Sequence, residues 1–177
     1  MTGKNEKLEN MLATALKMEI KGFSFYEKAV ESCGTTIGKD IFTMLRNDEV
    51  IHIERIKQIY AKVQGQQSWS DEWKKVGTPN EELTMVFRKL AKEHGRSQEA
   101  CLDDIEALKI GIDFEAKAVT FYSDYLTGAE NSDEKEFVQA MIAEEKGHHA
   151  ALVDMKVYLE NPDDWFAETE RSGLDRA

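Results

Sequence analysis

Residues 15–26, ALKMEIKGFSFY, and residues 111–122, GIDFEAKAVTFY, read as two copies of one helical segment. Glu19 stands seven residues before Tyr26, and Glu115 stands seven before Tyr122. Thirty residues after Glu19 comes Glu49-Val-Ile-His52, and thirty after Glu115 comes Glu145-Lys-Gly-His148. A single offset of 96 therefore superimposes two tyrosines and six metal-ligand candidates. Shared helical periodicity explains matched apolar residues; it does not explain matched carboxylates and imidazoles. Two helical glutamates plus two E-x-x-H pairs are a set with which a four-helix bundle holds two metal ions.

Outward from this repeat, periodicity is helical nearly throughout. A first helix is expected over about 6–32, with Leu8, Leu12, Ala15, Leu16, Glu19, Phe23, Tyr26 and Val30 on its inward side and a stop near Gly34. A second is expected over 37–64, with Ile41, Leu45, Glu49, His52, Ile56 and Ile59 inward, ending at Gly65. The polar stretch 65–80, GQQSWSDEWKKVGTPN, breaks the pattern and precedes a short helix at about 81–94. A third long helix is expected over 98–127, and a fourth over 133–159 capped by Ser132 or Asp133. The fold class is thus all-α: a four-helix bundle of two repeated hairpins, residues 1–160, with a long crossover at 65–97 between the second and third helices. Pro162 closes the helical pattern, and 161–177 reads as a tail whose Trp165 and Phe166 dock on the bundle or on a second subunit.

The chemistry follows from spacing. Residues i and i+3 share a helical face, so Glu49 with His52, and Glu145 with His148, can each converge on one ion. Glu49 and Glu145 are assigned as bridging ligands, Glu19 and Glu115 as terminal carboxylates, and His52 and His148 as donors of one nitrogen each. Four carboxylates match the charge of two divalent ions; without metal they would repel one another in an apolar bundle. Oxygen and imidazole donors suit iron or manganese and admit zinc. Tyr26 and Tyr122 lie two turns from Glu19 and Glu115, placed to donate an O–H to a ligating carboxylate across the bundle. Asp48 and Glu144 are read as solvent-facing. His149, about 100° around the helix from His148, is read as no ligand, and His94 as exposed. The methionines, Met85 among them, are read as packing.

Composition sets the outer limits. With 41% hydrophobic residues and 177 positions the chain can bury a core. A formal net charge of −11 disfavours nucleic acid and anionic membranes as partners. No apolar run approaches the ~18 residues of a membrane span, and the polar N-terminus MTGKNEKLEN does not read as a secretory signal. Cys33 and Cys101 form no C-x-x-C and read as free thiols, which makes the cytoplasm the expected location.

On Glu19…Tyr26, Glu49-x-x-His52, Glu115…Tyr122 and Glu145-x-x-His148, over residues 8–160, the chain resembles the rubrerythrin branch of the ferritin-like superfamily. The resemblance implies a non-haem di-iron carboxylate protein with two iron ions per chain, a cytoplasmic homodimer that reduces hydrogen peroxide to water. Two departures qualify it. The rubredoxin module of such proteins is not found in these residues, so turnover needs an external electron donor such as a rubredoxin-like protein. The additional glutamate one turn beyond the third-helix ligand is replaced by Ala118, which weakens the peroxidase expectation. Ferroxidase or iron handling is the next reading. Manganese-dependent peroxide disproportionation, a substrate-oxidising di-iron enzyme and a non-enzymatic partner-binding bundle follow, the last requiring an exposed apolar patch around Trp69, Trp73 or Trp165.

Overall fold

Helices α1 (Thr2–Ser32) and α2 (Thr36–Gln64) form one hairpin, and α4 (Leu102–Leu126) and α5 (Ser132–Glu160) form the other. The computed structural model describes residues 2–65, 69, 71–77, 83–96, 102–129 and 131–174. No strand occurs among them. The expected short helix is α3 (Leu83–His94), preceded by a 3-10 turn at Asp71–Lys75.

The first hairpin turns in three residues. The Thr35 hydroxyl accepts the Gly38 N–H and starts α2. Just before it, the Gly34 N–H donates to Asp104 Oδ1 of α4 at 2.8 Å. Gly34 therefore ends α1 without a left-handed cap; among the described glycines only Gly77 and Gly95 have positive φ. In the second hairpin the cap of α5 is Asn131, one residue before the expected pair, accepting the Asp133 N–H at 2.9 Å.

Cross-helix pairs set the directions. Tyr122 of α4 meets Glu19 of α1, and Tyr26 of α1 meets Glu115 of α4. The numbering runs oppositely along the two helices, so α1 and α4 are antiparallel. By the same logic the pairs His52–Glu144 and Asp48–His148 make α2 and α5 antiparallel. It follows that α2 and α4 point the same way, which a short turn cannot join and a crossover can.

Two apolar clusters sandwich one polar layer. One holds Tyr26, Ile41, Phe42, Leu45, Leu108 and Leu152. The other holds Leu12, Ala15, Ile56, Ile59, Tyr122, Phe137 and Met141. Each fully buried Leu, Ile or Phe contributes about 1.5–3 kcal/mol, enough collectively to carry a ring of polar groups between the clusters. The crossover joins both. Trp73 is buried edge-on against Phe137, while Leu83, Phe87 and Ala91, on one face of α3, enter the first cluster.

Residues beyond Pro162 depart from expectation by forming α6 (Pro162–Leu174). Proline at the first helical position already has the right φ and lacks only an N–H that would go unpaired. The Asn161 side chain accepts the Asp164 N–H at 3.4 Å, and Asp163 and Asp164 suit the positive helix start. Trp165 is 2% exposed, packs edge-on to Phe87 and Tyr158, and donates its indole N–H to Asp154 Oδ1 at 2.7 Å. Of its two expected homes it takes the bundle. Met85 is not packing but 62% exposed. No helix among the described residues is long and apolar enough to cross a membrane.

Candidate metal centre

The polar layer contains all six candidate ligands, each buried at 5% exposure or less. They fall into two groups, Glu19–Glu49–His52 and Glu115–Glu145–His148. Within each group one ligand atom from every residue lies within 4.8 Å of the others. The hairpins explain the grouping. A glutamate from the first helix of each faces an E-x-x-H pair on the second, whose members share a helical face. Within its group His52 Nδ1 lies 3.1 Å from Glu19 Oε2, and across to the other group it lies 3.3 Å from Glu145 Oε1. His148 Nδ1 lies 3.3 Å from Glu145 Oε2 and 3.9 Å from Glu115 Oε2. The imidazoles stack, with centroids 5.6 Å apart and planes at 25°.

Both imidazoles turn Nδ1 inward, which leaves Nε2 for an outer partner. His52 Nε2 meets Glu144 Oε2 at 2.8 Å, and His148 Nε2 meets Asp48 Oδ2 at 3.3 Å. Asp48 and Glu144, expected to face solvent, instead brace the histidine of the opposite hairpin. That role is set by a neighbouring helix and leaves little local trace. Arg55 adds a further layer: its Nη1 donates to both Glu144 oxygens at 2.8 Å. Tyr26 donates to Glu115 Oε1, and Tyr122 donates to Glu19 Oε1 at 2.5 Å. Each phenol thus reaches from one apolar cluster to the carboxylate of the other hairpin.

Close approach constrains the backbone as well. A Cβ at Gly22 would lie 2.7 Å from Glu49 Oε1 and 2.8 Å from the Phe114 ring, so only glycine lets this carboxylate lie against α1. His149 lines a surface groove of about 490 Å³ together with Thr84, Arg88 and Asp154, away from the ligands. His94 is half-buried at the end of α3.

Charge in this layer is unbalanced by protein groups alone. Burial, then the charges of Glu19 and Glu145, push the Glu49 carboxyl well above its ordinary value. Burial, then Glu145, raise Glu115 to about 8. Burial opposes protonation of His52, but Glu145, Glu144 and Glu19 outweigh it and raise its pKa. His148 is raised against burial by Asp48, Glu115 and Glu145. Glu145 is held low despite burial, chiefly by His52 and then His148. Burial and the neighbouring carboxylates keep both phenols protonated, as fixed donors.

The buried atoms without a hydrogen-bond partner include both oxygens of Glu49, both of Glu145, Glu115 Oε2 and His148 Nδ1. Orphaned carboxylate oxygens in a dry layer are costly unless a cation takes them. Oxygen and nitrogen donors converging from four helices fit that role, and the two Glu/His groups fit a dinuclear metal site. Neither a curated protein nor a solved structure matches the chain. A family model, Rubrerythrin, matches residues 10–156, which span all six Glu/His positions, both tyrosines and both outer carboxylates. The chain belongs to the rubrerythrin family.

Proposed function

We propose that this protein is a di-iron oxidoreductase that reduces hydrogen peroxide to water with electrons from a separate donor protein. The observation that carries the reading is the pattern of orphaned oxygens. Both oxygens of Glu49 and of Glu145 lack a hydrogen bond, those of Glu145 facing the two imidazoles at 3.3 Å, which leaves them free to serve as bridging ligands. Glu19 and Glu115 each have Oε1 occupied by a tyrosine, leaving Oε2 for one metal. His52 and His148 supply Nδ1. Bound iron would supply the two electrons, passing from two Fe(II) to two Fe(III), that with two protons convert one H₂O₂ to two H₂O.

The chain's own groups then have defined work. Four carboxylates neutralise two divalent ions, so metal entry relieves the repulsion that raises Glu49 and Glu115. Tyr26 and Tyr122 hold the terminal carboxylates in one orientation. Glu144 and Asp48 fix the outer imidazole nitrogens and thereby present Nδ1 inward. The apolar clusters on either side exclude bulk water. A cytoplasmic homodimer and a rubredoxin-like donor complete this reading.

One observation favours a second reading, ferroxidase activity. Ala118 is buried at 1% exposure at the place where the family resemblance implies an extra carboxylate, so α1 and α4 each bring one carboxylate to the two Glu/His groups. Of the three tryptophans on which a partner-binding patch would rest, Trp73 and Trp165 are buried within the chain and Trp69 is half-buried against Phe137. Stopped-flow oxidation of the anaerobically ferrous-loaded protein decides between the first two. Faster oxidation by peroxide than by dioxygen, with iron retained, supports the peroxidase. Faster oxidation by dioxygen with release of ferric iron supports the ferroxidase. Catalysis of peroxide loss by the manganese form without any reductant would replace both.

A further inference from the structure

Arg55 is 5% exposed and is not one of the six Glu/His groups. Its three contacts run in a line from the crossover to the site. Nε donates to the Val76 carbonyl at 2.9 Å, the guanidinium lies over the Trp73 ring at 5.9 Å, and Nη1 donates to both Glu144 oxygens at 2.8 Å. Glu144 in turn meets His52 Nε2 at 2.8 Å. The crossover end of the line is shaped to close there. Gly77 has φ +76, and a Cβ on it would lie 2.7 Å from Ile51, one residue before His52.

The repeat makes the line one-sided. The offset of 96 carries Arg55 onto Ala151, which is buried, so α5 sends no guanidinium toward His148. The chemical consequence has a definite sign. A carboxylate on the outer imidazole N–H draws the proton, makes the ring a stronger donor to its metal and favours the oxidised ion. A guanidinium on the same carboxylate withdraws part of that charge. The imidazole is then a weaker donor, and the reduced ion is favoured.

We propose that Arg55 is a positioning residue acting from the crossover on one metal position: it holds Glu144 against His52 and, by sharing that carboxylate's charge, raises the reduction potential of iron at His52. This rests on the di-iron reading above. The geometry directs the effect to the His52 position, because the carboxylate that Arg55 holds meets the His52 imidazole. The two irons would then be reduced in order, the His52 iron first.

The test uses the full chain loaded anaerobically with ferrous iron. It compares wild type, Arg55→Leu and Arg55→Lys by Mössbauer spectroscopy and reductive titration. In wild type two distinct ferrous doublets and two resolved midpoints are expected. In Arg55→Leu the higher midpoint falls toward the lower and one doublet moves, while the other doublet stays. Arg55→Lys, which keeps the charge, restores most of the separation; a role in packing alone would move stability and leave both midpoints where they are. Should Arg55→Leu fail to fold, Glu144→Gln tests the same link from its other end. It removes the negative charge and must shift the His52 midpoint upward, with the second unchanged. Two bound irons whose spectra and midpoints ignore these substitutions overturn the inference and leave the di-iron reading intact. A wild-type protein that binds no iron overturns both.

Discussion

The two hairpins each present the same three ligand candidates, two glutamates and a histidine, to a common layer and differ in the residues standing behind them. Against Glu49 lies Gly22, whose missing side chain makes room for the carboxylate; at the matching place α4 has Ala118. Outside Glu144 lies Arg55; the matching residue of α5 is Ala151. Residues that face a metal are restricted by charge and coordination geometry, so both halves keep them. Those one layer further out answer to whatever packs there, and the crossover turn at Trp73–Gly77 sets Trp73 and the Val76 carbonyl against Arg55 of α2. A nearly symmetric ligand set therefore sits in an unsymmetric frame.

The largest test of the symmetric part is metal content after anaerobic iron loading and desalting. About two irons per chain are expected for the wild type, and near zero for Glu49→Ala and Glu145→Ala alike, since each deletes a bridge. His52→Ala and His148→Ala should each retain about one. Wild-type metal content in Glu49→Ala would sink the bridging assignment, and unequal losses between the two glutamates would break the symmetry.

Next comes pH, read on the metal-free protein by chemical denaturation. Glu115 is raised from about 4.5 to about 8, so the folded state keeps a proton that the unfolded state releases. That stabilisation is complete below the unfolded value and is lost as pH rises through the folded one. Glu49, His52 and His148, all raised, act in the same direction. Glu145 is lowered, and its opposite contribution is already complete above about 4.5. Metal-free stability should therefore fall between pH 5.5 and pH 8, while the gap to the metal-loaded protein widens, since ligands shed protons on binding. A metal-free stability that rises over this window would refute the charge balance described here.

Smaller effects probe the unsymmetric frame. Gly22→Ala should cost about 1–3 kcal/mol, because its Cβ overlaps the Glu49 carboxylate, and should loosen metal as well. Ala118→Gly should cost about 1 kcal/mol and leave metal content unchanged. Thermal melts of the two variants, with and without iron, read both values. Equal costs would mean that Glu49 moves aside easily. Tyr26→Phe and Tyr122→Phe each remove one bond to a buried carboxylate, for about 1.5–3 kcal/mol of metal-free stability that shrinks once iron holds that carboxylate. A larger loss of metal content than of stability would show that the phenols orient ligands rather than merely satisfy them.

The bundle and its six candidate ligands were legible because the repeat is written in polar residues at inward positions, where amphipathic periodicity supplies only apolar ones. Asp48 and Glu144 were not. A carboxylate one residue before a ligand lies about 100° around its helix, and what it meets there depends on a helix some hundred residues away. Arg55 was missed for the same reason, since its partners are Glu144, Val76 and Trp73. Helix α6 was hidden by Pro162, which reads as a stop when taken as the end of α5. It is instead the first residue of a new helix, with Asn161 as cap. The acidic run after it looks solvated, and only Trp165 and Phe166 hint at a buried side.

The crossed braces His52–Glu144 and His148–Asp48 also have a mechanical meaning. On α2 the two braced residues, Asp48 and His52, are about one helical turn apart, as are Glu144 and His148 on α5. They act as two pegs driven in opposite senses between antiparallel rods. Sliding either rod by a turn pulls both pegs at once and strips both imidazoles of their outer partners. The one-turn ratchet by which packed helices shift register is closed to this pair. Any rearrangement of the six candidate ligands must then be made by side chains rotating within a stationary backbone.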